Sequence, residues 1–213
     1  WLAFLTSLLL VASVYLISES RSLRQGESLL LTGIAAGAMA SALTSFLLFR
    51  RADAYEQAIF WLLGSFSLSS WKEVWLILPY FLLALVISEY FSPEMNLLAL
   101  GDEVAQSLGC PVKTTRRLFL FLATLLASFS VAVAGIIGFV GLIVPHSVRL
   151  LVGPDHRPLF LYSALTGGTM LILCDLVART AFAPSEIPIG VITAALGAPF
   201  FIYLLNRQRR KSS

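Results

Sequence analysis

The sequence predicts an all-α fold, a polytopic membrane helical bundle in which about seven helices cross the bilayer. Hydrophobic residues make up 58% of the 213 residues and charged residues only 13%, and the mean hydropathy is +0.85. The apolar residues also fall into runs close to the ~20 residues that a membrane-spanning helix needs, with short polar joints between them. The hydrophobic content therefore reflects contact with lipid rather than a large soluble core.

The net charge of +3 does not indicate binding to nucleic acid, because the basic residues form short clusters beside the apolar runs. Such clusters are typical of membrane topology. Cys110 and Cys174 offer neither a disulfide framework nor metal-ligand spacing. We therefore expect membrane lipid around the chain, and no metal, cofactor or nucleic acid bound to it.

The first half of the chain contains three predicted spans and one shorter helix. Residues 2–17 and 29–49 are apolar runs long enough to cross most or all of a bilayer. Residues 58–63 are too few to cross, so they predict a half-helix at the membrane interface or dipping partway in. Tryptophan and charged side chains then mark a membrane edge at the start of the span over residues 71–89.

The second half contains four further apolar helices. Residues 118–134 form a span, and the three glycines within residues 135–141 favour a break after it. A shorter helix is expected to end within residues 145–149. The last two spans are predicted over residues 159–178 and 190–205, and a basic tail closes the chain.

A polar segment over residues 92–117 separates two of the apolar runs. Asp102 and Glu103 suit the positive end of a short helix, whereas Gly109 and Pro111 favour its termination. The segment therefore predicts a short helix and turn. From these features alone, it is either a docking surface or an ordinary connection between spans.

The distribution of basic residues predicts the orientation of the chain. If successive loops alternate between the two sides, eleven of the fifteen Lys and Arg residues share a side with residues 92–117 and the C-terminus. The positive-inside tendency makes that side cytoplasmic and places Arg179 outside. With seven spans Trp1 lies outside, so we expect an odd number of helices to precede this chain.

Recognisable motifs follow one another in order along nearly the whole chain, over residues 28–37, 61–65, 95–109, 135–149 with 155–157, 175–179 and 186–200. Together they resemble the FecCD family, the permeases of ABC importers for iron chelates and cobalamin. This resemblance implies one transmembrane permease domain over residues 1–213, lacking its N-terminal helices, from a type II importer with about ten spanning helices and short cytoplasmic coupling helices.

The resemblance also implies roles for particular residues. Residues 92–117 become the cytoplasmic coupling segment, which docks into the ATPase subunit. Arg179 becomes a docking site for a glutamate of the binding protein. Gly26 and Glu27 correspond to the cytoplasmic gate, although the charge of Glu27 departs from the small residues of the cobalamin permease, and a solvated turn is the alternative. The expected ATPase contacts are Leu98, Ala99, Leu100, Gly101, Asp102, Glu103, Ala105, Leu108 and Gly109.

Other polar residues have structural interpretations. Asp175 and Arg179 are four apart on one helical face and can form an ion pair, which would be buried if it served structure alone. His146 and His156 are ten residues apart with helix-breaking residues between them, which argues against a metal site. Structural roles are instead expected for Gly138, Gly141, Pro145, His146, Arg149 and Asp175.

The sequence contains no catalytic constellation and no phosphate-binding loop, so the chain is not expected to be an enzyme or to bind ATP itself. The resemblance implies translocation of an iron chelate, haem or cobalamin across the cytoplasmic membrane. It also implies three partners: ABC ATPase subunits, a periplasmic or lipid-anchored binding protein, and a second permease in a homodimer or heterodimer. A secondary transporter or channel is the alternative, with Asp175 and Glu89 as its few intramembrane ionisable groups. An intramembrane enzyme is a weaker alternative.

Overall fold

The computed structural model describes residues 6, 9, 25–50, 55–67, 69–181 and 186–211, and every regular element in these ranges is helical. The prediction of an all-α bundle is confirmed, whereas the first predicted span, residues 2–17, lies almost entirely outside the described residues. The helices are α1 (Gln25–Arg50), α2 (Tyr55–Leu62), α3 (Trp71–Tyr90), α4 (Ser92–Leu98), α5 (Asp102–Ser107), α6 (Val112–Ala134), α7 (Val140–Val152), α8 (His156–Thr180) and α9 (Ile189–Lys211).

Four of these helices are long and apolar enough to cross a membrane: residues Leu31–Arg50 of α1, and the whole of α3, α6 and α8. Two shorter apolar helices accompany them, α7 and the Ile189–Leu204 part of α9. The remaining apolar helix, α2, has eight residues, as expected of a half-helix. Among the described residues, the apolar runs are therefore real helices, but only four are full spans by length and composition.

Helix α6 begins earlier than its hydropathy predicted, at Val112 instead of residue 118. Pro111 is tolerated just before the helix, because a proline there removes no helical hydrogen bond. The basic residues that follow have good helix propensity, so they extend α6 beyond its apolar part. The polar segment 92–117 consequently contains α4, α5 and the first turns of α6.

The predicted end of α7 was also wrong. It was expected to end within residues 145–149, but it continues to Val152, and Pro145 lies inside it. Proline conflicts mainly with the carbonyl four residues earlier, and that residue is Gly141, which has no side chain to restrict adjustment of the backbone. The helix ends before Gly153, whose φ of 88° is easily adopted by glycine.

Helix α8 lies at the centre of the packing and contacts α3, α4, α7 and α9. Val144, Val148 and Leu159 form a buried cluster between α7 and α8. Cys174 and Ala178 form a second cluster with the start of α9. By contrast, no residue of the apolar stretch of α1 is buried in the chain.

Three breaks between helices meet in a glycine crossing, formed by Gly64, Gly135 and Gly190. The Ile189 N–H donates to the Gly64 carbonyl at 2.9 Å, and the Gly190 N–H donates to the Leu63 carbonyl at 3.1 Å. A Cβ atom on Gly190 would lie 2.1 Å from the Leu63 carbonyl oxygen, and one on Gly135 would lie 2.0 Å from a carbonyl oxygen of α2. Only glycine therefore permits the backbones to approach this closely.

Candidate functional site

The polar segment folds into a tight helical hairpin. Gly101, with φ of 105°, turns the chain between α4 and α5. Asp102 and Glu103 occupy the first turn of α5 as predicted, where carboxylates interact favourably with the helix dipole. Gly109, with φ of 83°, ends the turn after α5, and the Cys110 N–H donates to the carbonyl of residue 105 at 2.9 Å.

One side of α5 is fixed against the bundle. Ala105 is completely buried, and Cys110 and Thr115 are nearly so. Arg116 Nη2 lies 2.7 Å from Asp102 Oδ1, which joins the start of α5 to α6. The burial of Ala105 means that this predicted ATPase contact holds α5 in place from behind, rather than offering its side chain to a partner.

The other side of the hairpin exposes three large apolar side chains. Leu100 is 62% exposed, Val104 45% and Leu108 60%. Leu100 lies in the turn before α5, Val104 lies within α5, and Leu108 is its C-cap residue, so all three are exposed around one short helix. We call Leu100, Val104 and Leu108 the hairpin face. Exposed apolar side chains grouped within a polar segment are typical of an interaction surface. Val104 was not among the residues predicted from the sequence.

A second feature of the hairpin is a hydrogen-bonded connection from α4 to α8. Asn96 Nδ2 donates to Asp155 Oδ1 at 2.8 Å, and Asn96 Oδ1 accepts the backbone N–H of His156 at 2.9 Å. The same oxygen lies 2.7 Å from His156 Nδ1. Asp155 is the N-cap residue of α8 and also accepts the Arg157 N–H at 3.1 Å.

Arg149, in the last turn of α7, extends this connection, since its Nη2 lies 3.5 Å from His156 Nε2. The hydrogen-bond partners of His156 determine which of its ring nitrogens carries the hydrogen. Because Asn96 Oδ1 accepts, Nδ1 carries the hydrogen, and Nε2 of the neutral ring can accept from the guanidinium. We call Asn96, Arg149, Asp155 and His156 the Asn96 network. The Asn96 amide, followed by the Arg157 N–H, lowers the pKa of Asp155 from its ordinary value of 3.8.

His146 lies apart from this network. It borders a cavity of about 200 Å³ between α7 and α9, and its ring centroid is 6.0 Å from that of Phe200. Structural roles were expected for both His146 and Arg149, and of the two only Arg149 contacts the Asn96 network, through His156. Within the ranges that the structure describes, no three His, Cys, Asp or Glu side chains group as a metal site.

The opposite end of α8 carries a polar cluster. Arg179 Nε lies 2.8 Å from Asp175 Oδ2, so the predicted pairing at a spacing of four residues is confirmed. The two side chains are 43% and 25% exposed, respectively, so this is not a buried ion pair. Glu186 accepts a hydrogen bond from Ser67 beside it. Arg179 is thus accessible for the predicted docking role.

The predicted gate residues lie at the beginning of α1. This helix starts at Gln25, so Gly26 and Glu27 belong to its first turn and not to a solvated turn. Residues 21–24 lie outside the described residues.

Comparison with known proteins shows one consistent family. The pattern of the FecCD transport family matches residues 1–207. The cobalamin import system permease protein of Halobacterium salinarum is 43% identical over 204 residues, covering 96% of this chain and 55% of the relative. The Fe(3+) dicitrate transport system permease protein of Escherichia coli is 41% identical over 199 residues, covering 93% and 63%.

A solved structure has the same fold. It is an inward-facing conformation of a metal-chelate type ABC transporter, with a TM-score of 0.84 and 38% sequence identity, and the match covers 92% of this chain and 63% of that one. The chain therefore spans between about half and two thirds of the length of the proteins that it matches.

Proposed function

This chain belongs to the FecCD transport family, and from that membership we propose that it is part of the membrane-spanning permease of an ABC importer. The permease would carry a metal chelate inward, with ATP hydrolysed on separate subunits. The observation that carries the proposal is the hairpin face, because exposed apolar side chains grouped on a polar segment suit a stable contact with a soluble subunit.

The charge distribution supports a cytoplasmic position for this hairpin. Lys and Arg concentrate on the side that holds residues 92–117 and the C-terminal end of α9, and that bias is typical of the cytoplasmic side. We infer that the ATPase subunits bind there, that the C-terminus is cytoplasmic, and that the cytoplasmic membrane is the location.

The mechanism would be alternating access. Closure of an ATPase pair on ATP would displace α4 and α5, and the packed helices behind them would tilt around a path between two permease subunits. The Asp102–Arg116 ion pair and the buried Ala105 support this, because they join α5 to α6 and would carry its displacement into the bundle.

Arg179 is proposed to dock the binding protein on the outer side. It is accessible at the far end of α8 from the hairpin, and its partner Asp175 orients the guanidinium through Nε. The other guanidinium nitrogens would be available for a second carboxylate, whose bidentate recognition suits arginine.

The proposed cargo is an iron chelate, with cobalamin and haem as related possibilities. This rests on the cargoes in the names of two relatives, cobalamin and ferric dicitrate. Uptake of labelled ferric citrate, a ferric siderophore and cobalamin into proteoliposomes containing the full-length permease and its ATPase would identify the class. ATP-independent uptake would instead favour a secondary transporter.

The hairpin face can be tested with a matched pair of substitutions. We expect Leu108→Ser to reduce co-purification of the ATPase by about tenfold, because loss of a buried apolar anchor costs at least 1–2 kcal/mol. Leu150→Ser is the control, since Leu150 is 64% exposed, close to Leu108, but lies outside the hairpin, near the end of α7. Unchanged ATPase binding in Leu108→Ser, or equal loss in both variants, would contradict the proposal.

A further inference from the structure

We propose that Asn96 is a positioning residue that fastens the coupling hairpin to α8, so that α4, the start of α8 and the end of α7 move as one unit. This inference rests on the proposed function for the source of the movement. The fastening itself depends only on the contacts around Asn96.

The amide of Asn96 uses both of its ends across a large separation in sequence. Its nitrogen donates to Asp155, 59 residues away, and its oxygen accepts from the backbone of His156, 60 residues away. The oxygen also meets the imidazole Nδ1. A side chain held by both functional groups to two consecutive residues cannot rotate without breaking several hydrogen bonds at once.

The connection has more hydrogen bonds than the other polar link from the hairpin. Asp102 and Arg116 also join the hairpin to the bundle, but their side chains are 54% and 33% exposed, and ion pairs open to water contribute little. In the Asn96 network, Asp155 is exposed and Asn96 is half-buried, whereas His156 is only 8% exposed. The hydrogen bonds that Asn96 makes to His156 are therefore the shielded ones, and shielded hydrogen bonds contribute more than exposed ones.

The network meets α8 at a position from which movement can propagate. Asp155 and His156 form the N-terminus of α8, whose 25 residues extend to Thr180, about 37 Å away at the rise of an α-helix. Arg149 places the C-terminal turn of α7 on the same imidazole. Displacement of α4 would therefore move two membrane helices together.

The first experiment measures coupling in the full-length permease reconstituted with its ATPase. We expect Asn96→Ala to retain ATPase binding and ATP hydrolysis but to lower the amount of substrate transported per ATP by about fivefold or more. Without the Asn96 hydrogen bonds, the ATPase contact at the hairpin and the transport path are coupled by a smaller free energy. A merely structural role would lower both activities together.

A compensating exchange provides the matched control. Asn96→Asp alone places a second carboxylate against Asp155 and should uncouple transport. Asn96→Asp combined with Asp155→Asn restores one amide and one carboxylate, and asparagine is also an effective N-cap. We expect the combination to recover transport per ATP to within about twofold of the original protein.

The second experiment does not require transport. In detergent, the thermal midpoints of Asn96→Ala, Asp155→Ala and the double variant form a double-mutant cycle. We expect the thermal midpoint of the double variant to fall scarcely further than that of the less stable single variant. Additive losses would overturn the network, and a coupled cycle with unchanged transport per ATP would overturn the positioning role. Absence of ATP-driven uptake by the unaltered protein would instead refute the proposed function.

Discussion

At the scale of single residues, Asp155 combines two tasks, because it caps α8 and holds the Asn96 amide. Both tasks favour the ionised carboxylate, which is why its pKa in the folded protein is lowered. A lowered folded pKa stabilises the native state above the ordinary pKa of 3.8, and this contribution is lost as the pH falls through the lowered value.

The pH dependence of Asp155 is therefore testable. We expect Asp155→Asn to reduce the thermal midpoint in detergent at pH 6 to 7, and the difference from the unaltered protein to shrink as the pH falls below about 4. Asparagine preserves the cap, so the comparison isolates the charge. A difference that stays constant down to pH 3 would show that this carboxylate contributes no pH-dependent stability.

Arg179 supplies a second prediction at the residue scale. Since its pair with Asp175 is accessible, Arg179→Ala should change the free energy of unfolding by less than about 1 kcal/mol. We nevertheless expect this substitution to weaken binding of the binding protein by about tenfold, measured by titration in nanodiscs, because it removes a charged interface group. Arg157→Ala is the control and should retain the affinity, because Arg157 is exposed at the opposite end of α8. Equal binding by Arg179→Ala and the unaltered protein would exclude a docking role.

At the scale of helices, hydropathy predicted which segments are helical better than where they begin and end. The predicted start of α6 was wrong because the charged residues that precede its apolar run are part of the helix. The predicted end of α7 was wrong because Pro145 lies within the helix and does not end it. The break after α6 was expected from its glycines, and Gly135 indeed has a φ of 72°. Phe139, with φ of 66°, was not expected in that conformation, which non-glycine residues adopt rarely.

The glycine crossing makes a prediction at this scale. We expect Gly190→Ala to destabilise the protein by about 3 kcal/mol or to prevent folding, since the new Cβ would overlap the Leu63 carbonyl. Gly168→Ala is the matched control, because Gly168 lies inside α8 with open space around it. That control should be neutral or stabilising by up to about 1 kcal/mol. Similar unfolding of both variants in denaturant titrations would contradict the close approach.

At the scale of the whole molecule, composition was sufficient to predict a membrane bundle, because lipid contact requires long apolar runs. The position of the hairpin was predictable for the same reason, as it interrupts those runs. The Asn96 network was not. Asn96 and Asp155 are 59 residues apart, and a lone asparagine on a short helix has no periodicity that indicates its partner. Packing of α4 against α8 brings them together, and no local pattern in the sequence specifies that packing.

The glycine crossing also restrains one end of α8. Its backbone groups hydrogen-bond to one another between separate segments of the chain, and pulling these segments apart would leave peptide groups without partners. The Ile187 N–H donates to the Ala178 carbonyl at 3.2 Å, which ties the Arg179 end of α8 to this region. The Asn96 network holds the other end of the same helix. Helix α8 is about 37 Å long, so a rotation of about 5° about either end would displace the opposite end by about 3 Å. Hydrogen bonds at both ends therefore limit how far α8 can tilt independently of its neighbours.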